Sequence, residues 1–143
     1  MEELIYEKLS DEAFDPERGH QGDSGIDVFS PINCIIEARG DILIPLGIRF
    51  DIPLGYDLTV HNKSGISTKK KLFKGAELID SPYTGCVHIH LFNFSDNDVE
   101  IKRGDKIAQL VMRPVILCGL KEGTVDKETT RGSGGFGSTG DKK

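Results

Sequence analysis

The sequence predicts an all-β sandwich or barrel, on three observations. Short apolar segments recur, cut by Gly, Pro, Asp and Asn at the roughly 8–12-residue spacing of such folds. Long stretches of apolar residues at helical spacing are absent. In one segment the period of two is explicit: Val87, Ile89 and Leu91 fall on one face of a strand, and His88, His90 and Phe92 on the other.

In chain order, the apolar segments place strands at 4–9, 27–29, 34–37, 42–44, 47–51, 56–61, 76–79, 86–92, 99–101, 107–112 and 115–120. Pro53-Leu54-Gly55 and Arg103-Gly104-Asp105 supply turns between them. A helix is expected only at 64–72, with Ser64 in position to cap its start. After Gly119 the apolar periodicity ends, and 121–130 is charged and polar. The expected organisation is therefore one β-barrel domain over residues 1–120 and a C-terminal arm over 121–143.

A chain of 143 residues suits a single domain, able to bury roughly two-thirds of the surface it exposes when unfolded. The net charge of −5 argues against a nucleic-acid-binding protein, which needs clustered cations. The one basic cluster, Lys69-Lys70-Lys71 with Lys74, is expected to be a solvated loop that could steer a charged ligand. Cys34, Cys86 and Cys118 are odd in number and widely spaced, so neither a disulfide framework nor a zinc site is indicated. The N-terminus is acidic where a signal peptide would be basic, and no apolar run approaches membrane-spanning length. The expectation is a soluble, cytoplasmic protein.

The run Arg131-Gly132-Ser133-Gly134-Gly135-Phe136-Gly137-Ser138-Thr139-Gly140 combines a cation, five glycines and one aromatic ring. Glycines let successive backbone N–H groups turn inward on an anion, Arg131 can fork onto phosphate, and Phe136 offers a flat face to a base. The same composition also describes a solvated linker. Arg131 and Phe136 tip the balance towards a nucleotide polyphosphate. His88 and His90 share a strand face and, with His61, could be read as a metal site, but a polar sheet face is the favoured reading. His20 receives no role.

Four further segments lie in order before the glycine run. They are Ser24-Gly25-Ile26-Asp27-Val28, Asn62-Lys63-Ser64-Gly65-Ile66, the stretch 75–85 (GAELIDSPYTG), and Arg103-Gly104-Asp105-Lys106-Ile107-Ala108-Gln109-Leu110. Together the five resemble the motifs of the trimeric deoxyuridine triphosphatase (dUTPase) family, in that family's order and across nearly the whole chain. The resemblance implies a distorted jelly-roll-like β-barrel, a homotrimer with shared active sites, and a flexible C-terminal arm that a neighbouring chain donates. It also implies magnesium-assisted hydrolysis of dUTP to dUMP and pyrophosphate, which keeps uracil out of DNA.

Residue by residue, the resemblance makes Asp80 the carboxylate that activates water for in-line attack on the α-phosphorus. Tyr83 would pack against the deoxyribose and exclude a ribose hydroxyl. The hairpin from Gly75 through Ile79 to Gly85 would pair its backbone with uracil. Asp27 would meet Mg²⁺ through water, the ion being held mainly by the triphosphate. Lys63, Ser64, Gly65 and Gln109 would contact phosphate oxygens. In motif five, Arg131, Ser138 and Thr139 would reach the terminal phosphates, Gly135 and Gly137 would bring backbone close to them, and Phe136 would stack over the base. Without the motifs, Asp80 would read as a turn residue, Tyr83 as strand packing and Ser64 as a cap.

Three positions depart from the family pattern, one of them Pro82, which replaces a more polar neighbour of the tyrosine. Lys63 stands where Arg is usual, exchanging a planar fork for a point charge. Glu77 stands where a small residue is commoner, and it is expected to point away from the pocket. The alternatives to dUTP hydrolysis are a dCTP deaminase of the same superfamily and a nucleotide-gated regulatory module with an unknown protein partner.

Overall fold

The computed structural model describes residues 3–136 and residue 140. Eleven strands carry the fold: β1 Ile5–Lys8, β2 Ile26–Phe29, β3 Cys34–Ile36, β4 Asp41–Pro45, β5 Ile48–Asp51, β6 Tyr56–His61, β7 Leu72–Lys74, β8 Leu78–Asp80, β9 His88–Asn93, β10 Val99–Ile101 and β11 Lys106–Pro114. They form four antiparallel sheets ordered β1-β5, β10-β3, β2-β11-β6-β8 and β4-β9-β7. This is the all-β, jelly-roll-like arrangement. None of the described helical segments is long and apolar enough to cross a membrane.

The inner faces meet in one core. Ile44, Leu58, Ile89, Ile101, Ala108 and Leu110 have no measurable exposure. The period of two in β9 is realised: Ile89 and Leu91 are buried, and His88 and Phe92 are exposed. Asn93 ends that strand inside the core, where its amide donates to the carbonyls of Ile36, Glu37 and Asn97.

The long strand β11 is the spine of the site-bearing sheet. Its residue Gln109 lies opposite Asp27 on β2 and opposite His61 on β6. Between Lys106 and Ala108 the β2 register slips by one residue, so Ile107 is a bulge. In a regular strand Lys106 and Gln109, three apart, would face opposite sides; the bulge brings both to one face.

Three expectations about elements need correction. The segment 115–120 forms no strand: Pro114 ends β11, and Ile116, Leu117 and Leu120 are exposed with no sheet of their own chain to join. The helix expected at 64–72 is a single π-type turn, Ile66–Lys70, and its C-terminal part is instead β7, with Leu72 in the core. Lys71 separates the two in a left-handed conformation, φ 56°. Ser64 is no cap: Gly65 occupies that position without a side-chain bond, and the Ser64 carbonyl accepts from Ser67 and Thr68 hydroxyls. The strand expected at 76–79 lies at Leu78–Asp80, which puts Asp80 in the ladder, opposite Asp57.

Candidate functional site

The expected site residues gather in separate places on the chain. The first is a polar cavity lined by Gly19, His20, Asp23, Ser24, Gly25, Asp27, Lys63, Lys106 and Gln109. Asp27 sits at its floor, 3% exposed. Lys63 Nζ lies 2.6 Å from Asp27 Oδ1, and Lys106 Nζ lies 3.0 Å from Oδ2. Lys106 also reaches Glu17 at 3.2 Å. Burial pushes the Asp27 carboxyl up, but the hydrogen bonds and charges of the two lysines outweigh it and hold the group below the usual carboxylate value. The Asp27 and Glu17 bonds raise Lys106 in turn.

Gln109 is fixed beside this trio by its Nε2, which donates to the Asn62 carbonyl at 3.1 Å. Its Oε1 occupies the space over Gly25: a Cβ on that residue would meet it at 2.2 Å. A side chain at 25 would displace the Gln109 amide from its place beside Asp27. The Asn62 side chain accepts from Lys74 N–H at 2.7 Å, tying the lysine-bearing turn to β7.

The second place is the hairpin. Asp80 C=O accepts from Tyr83 N–H at 3.0 Å, closing the turn Asp80-Ser81-Pro82-Tyr83. The Asp80 carboxylate is exposed and has no side-chain partner among the described residues. Tyr83 O–H donates to the Cys86 carbonyl at 2.8 Å. Strand β8 is the edge of its sheet, paired only with β6. A small cavity beside it is lined by Ala76, Leu78, Ile79, Asp80, Tyr83, Val87 and His88. A larger one on the other side includes Tyr56, Asp57, Asp80, Pro82 and Tyr83. Asp57 is itself buried and gripped by both nitrogens of an Arg113 fork, at 3.2 and 3.0 Å.

Neither hairpin cavity shares a residue with the Asp27 cavity. Within one chain, Asp80, Ile79 and Tyr83 are together, and Asp27, Lys63 and Gln109 are together. Ser64 and Gly65 lie exposed just beyond Lys63. Among its described residues the arm joins neither group: Arg131 Nε donates to the Gly134 carbonyl at 2.9 Å, and Phe136 is fully exposed. Gly135 is half-buried in the same turn. Gly137, Ser138 and Thr139 lie outside the described residues.

Lys106 is the residue that the site reading missed. It stood inside the quoted fourth motif, but only the bulge before Ala108 shows that it shares a face with Gln109. Glu77 is exposed and paired with Lys74. The imidazoles have separate partners: His61 bonds Thr59 Oγ1, His88 the Cys86 carbonyl and His90 the Asp41 carboxylate, at 2.8, 2.9 and 2.8 Å. Among the described residues no group of three or more His, Cys, Asp or Glu could hold a metal ion. With an ammonium on each oxygen, Asp27 cannot anchor a bare cation either. This donor set fits an ion that arrives on phosphates and meets the protein through water.

Fold and site together define an all-β, jelly-roll-like protein with a polar cavity built around a doubly paired aspartate, an exposed carboxylate on a closed turn and a glycine-rich C-terminal run. The dUTPase family model matches residues 11–140, and the chain belongs to that family. It is 41% identical over 133 residues to the deoxyuridine 5'-triphosphate nucleotidohydrolase of Arabidopsis thaliana, covering 93% of this chain and 80% of that one. Its fold is similar to that of the Staphylococcus bacteriophage 80alpha dUTPase solved with dUPNHPP, with a TM-score of 0.90 and 29% identity over 98% of this chain and 99% of that one. A variant dUTPase from phage phi11 of S. aureus, described for its coordination of a structural Mg(II) ion, superposes with a TM-score of 0.81 at 27% identity, covering 91% and 99%. These comparisons do not favour the deaminase or the regulatory module.

Proposed function

We propose that this chain is a dUTP diphosphatase that hydrolyses dUTP to dUMP and pyrophosphate, with Asp80 activating the attacking water. The observation that carries the role of Asp80 is its carboxylate: exposed, without a side-chain partner among the described residues, and held by a closed turn at the end of β8. A general base must be rigidly aimed and free to accept a proton, and this group meets both conditions.

Tyr83 packs against the deoxyribose, and the segment from Gly75 to Ile79, which leads into the open edge of β8, presents backbone groups to uracil. Lys63, Ser64, Gly65 and Gln109 take the phosphates, with Lys106 beside them. Arg131, Gly135, Phe136, Gly137, Ser138 and Thr139 close over the substrate, the cation on phosphate and the ring on the base. Magnesium, brought by the triphosphate, supplies charge neutralisation there. Asp27 meets the ion through water once phosphate oxygens compete for its two lysines.

The working unit is a homotrimer with shared sites, residues 1–120 forming the barrel domain and 121–143 the arm. The separation of the Asp80 and Asp27 groups supports this, because one chain alone does not assemble a site. So does the exposed apolar run at Ile116, Leu117 and Leu120, at 95%, 72% and 98% exposure. Three free cysteines suit a reducing, cytoplasmic location.

Pyrophosphate release should be followed across the deoxynucleoside triphosphates and UTP, with the products of dUTP and dCTP identified. Turnover confined to dUTP, giving dUMP, is expected. Ammonia from dCTP would sink the reading.

A further inference from the structure

The ring of Tyr83 is held from two sides. Its hydroxyl donates to the Cys86 carbonyl, an oxygen that also lies 2.9 Å from His88 Nδ1. To reach it, the ring folds forward against Gly85. A Cβ on Gly85 would lie 2.6 Å from the phenol oxygen, 2.7 Å from Cζ and 3.0 Å from Cε2, too close for any real side chain. Gly85 is not among the residues with positive φ, so its backbone suits any amino acid. What this position requires is empty space.

We propose that Gly85 is a specificity-determining positioning residue: its missing side chain is the seat that holds the Tyr83 ring where it excludes a 2′-hydroxyl. The inference rests on the reading that Tyr83 packs against the sugar. The atoms that an added methyl would strike all belong to the far end of the Tyr83 side chain and none to backbone, so Gly85→Ala displaces the ring and spares the backbone.

The test compares kcat/KM for dUTP and UTP in the full-length wild type, Gly85→Ala, Tyr83→Ala and Tyr83→Phe, with thermal midpoints measured alongside. Gly85→Ala is expected to lower the dUTP-to-UTP ratio roughly 10- to 100-fold, the usual worth of a steric exclusion, with its melting midpoint little changed. Tyr83→Phe keeps the ring on its seat and should hold the ratio within about threefold of wild type. A wild-type ratio in Gly85→Ala would overturn the proposal. So would a Tyr83→Phe loss as large as that of Tyr83→Ala, which would place the constraint in the hydroxyl bond; this arm decides the matter if Gly85→Ala does not fold. An unchanged ratio in Tyr83→Ala removes the sugar-packing reading and the proposal with it, whereas absent dUTP turnover in the wild type removes the diphosphatase reading itself.

Discussion

Asp27 and Asp80 are both strand aspartates within short motifs, yet the fold treats them oppositely. Asp27 is buried and carries one lysine per oxygen. Asp80 is exposed and carries none among the described residues. The contrast teaches where charge is spent: at 27 the carboxylate holds two lysines in place, and at 80 it faces solvent, as the proposed proton transfer requires. Substitution should therefore cost stability at one position and chemistry at the other.

The largest effect is expected at Asp80. Changing it to Asn should lower kcat about 10³-fold, the scale of a lost general base, while the urea midpoint stays within error. A variant that keeps more than a tenth of wild-type turnover would erase the contrast. At Asp27 the sign reverses. Asp27→Ala removes the partner of two half-solvated ammonium groups and should cost on the order of 1 kcal/mol of folding stability, seen as a lower urea midpoint. Truncation before Arg131 sharpens the division from the side of the arm, with melting preserved and pyrophosphate release reduced roughly 100-fold. Lys63→Arg is the mildest change: a fork in place of a point charge should lower KM for dUTP about threefold at constant kcat.

Acid probes the pairing at Asp27 directly. The Asp27 carboxyl is held below its ordinary 3.8, so its contribution is complete above that pH and is lost as pH falls through the lower folded-state value. Lys106, held above 10.5, contributes below that value and loses its contribution as pH rises through the higher folded-state one. Chemical denaturation of the wild type should weaken below pH 4 in a step that Asp27→Asn lacks. An identical acid limb in both proteins would assign that loss to other groups.

Much of this was legible from residue order alone. Alternation at 87–92 marked β9, and the first four motifs brought forward Asp27, Lys63, Asp80, Tyr83 and Gln109, which the fold gathers into two groups. Two kinds of information were hidden. Propensity could not separate a strand from an apolar segment with nothing to pair, so 115–120 was misread while the three-residue β7 was absorbed into a helix. Pairwise facts were also invisible: that Lys106 shares Asp27 with Lys63, that Arg113 clamps Asp57, and that Tyr83 rests on Gly85. Each depends on strands distant in sequence meeting in a particular register.

The bulge at Ile107 makes that register a matter of counting. Lys106 and Gln109 are three apart, an odd spacing that only an irregular ladder reconciles with a shared face. One residue more or fewer between them would make the spacing even, and a regular strand would then hold both on one side with no bulge at all. The length of this short stretch and its irregularity can therefore change together, but neither can change alone without turning Lys106 away from Asp27.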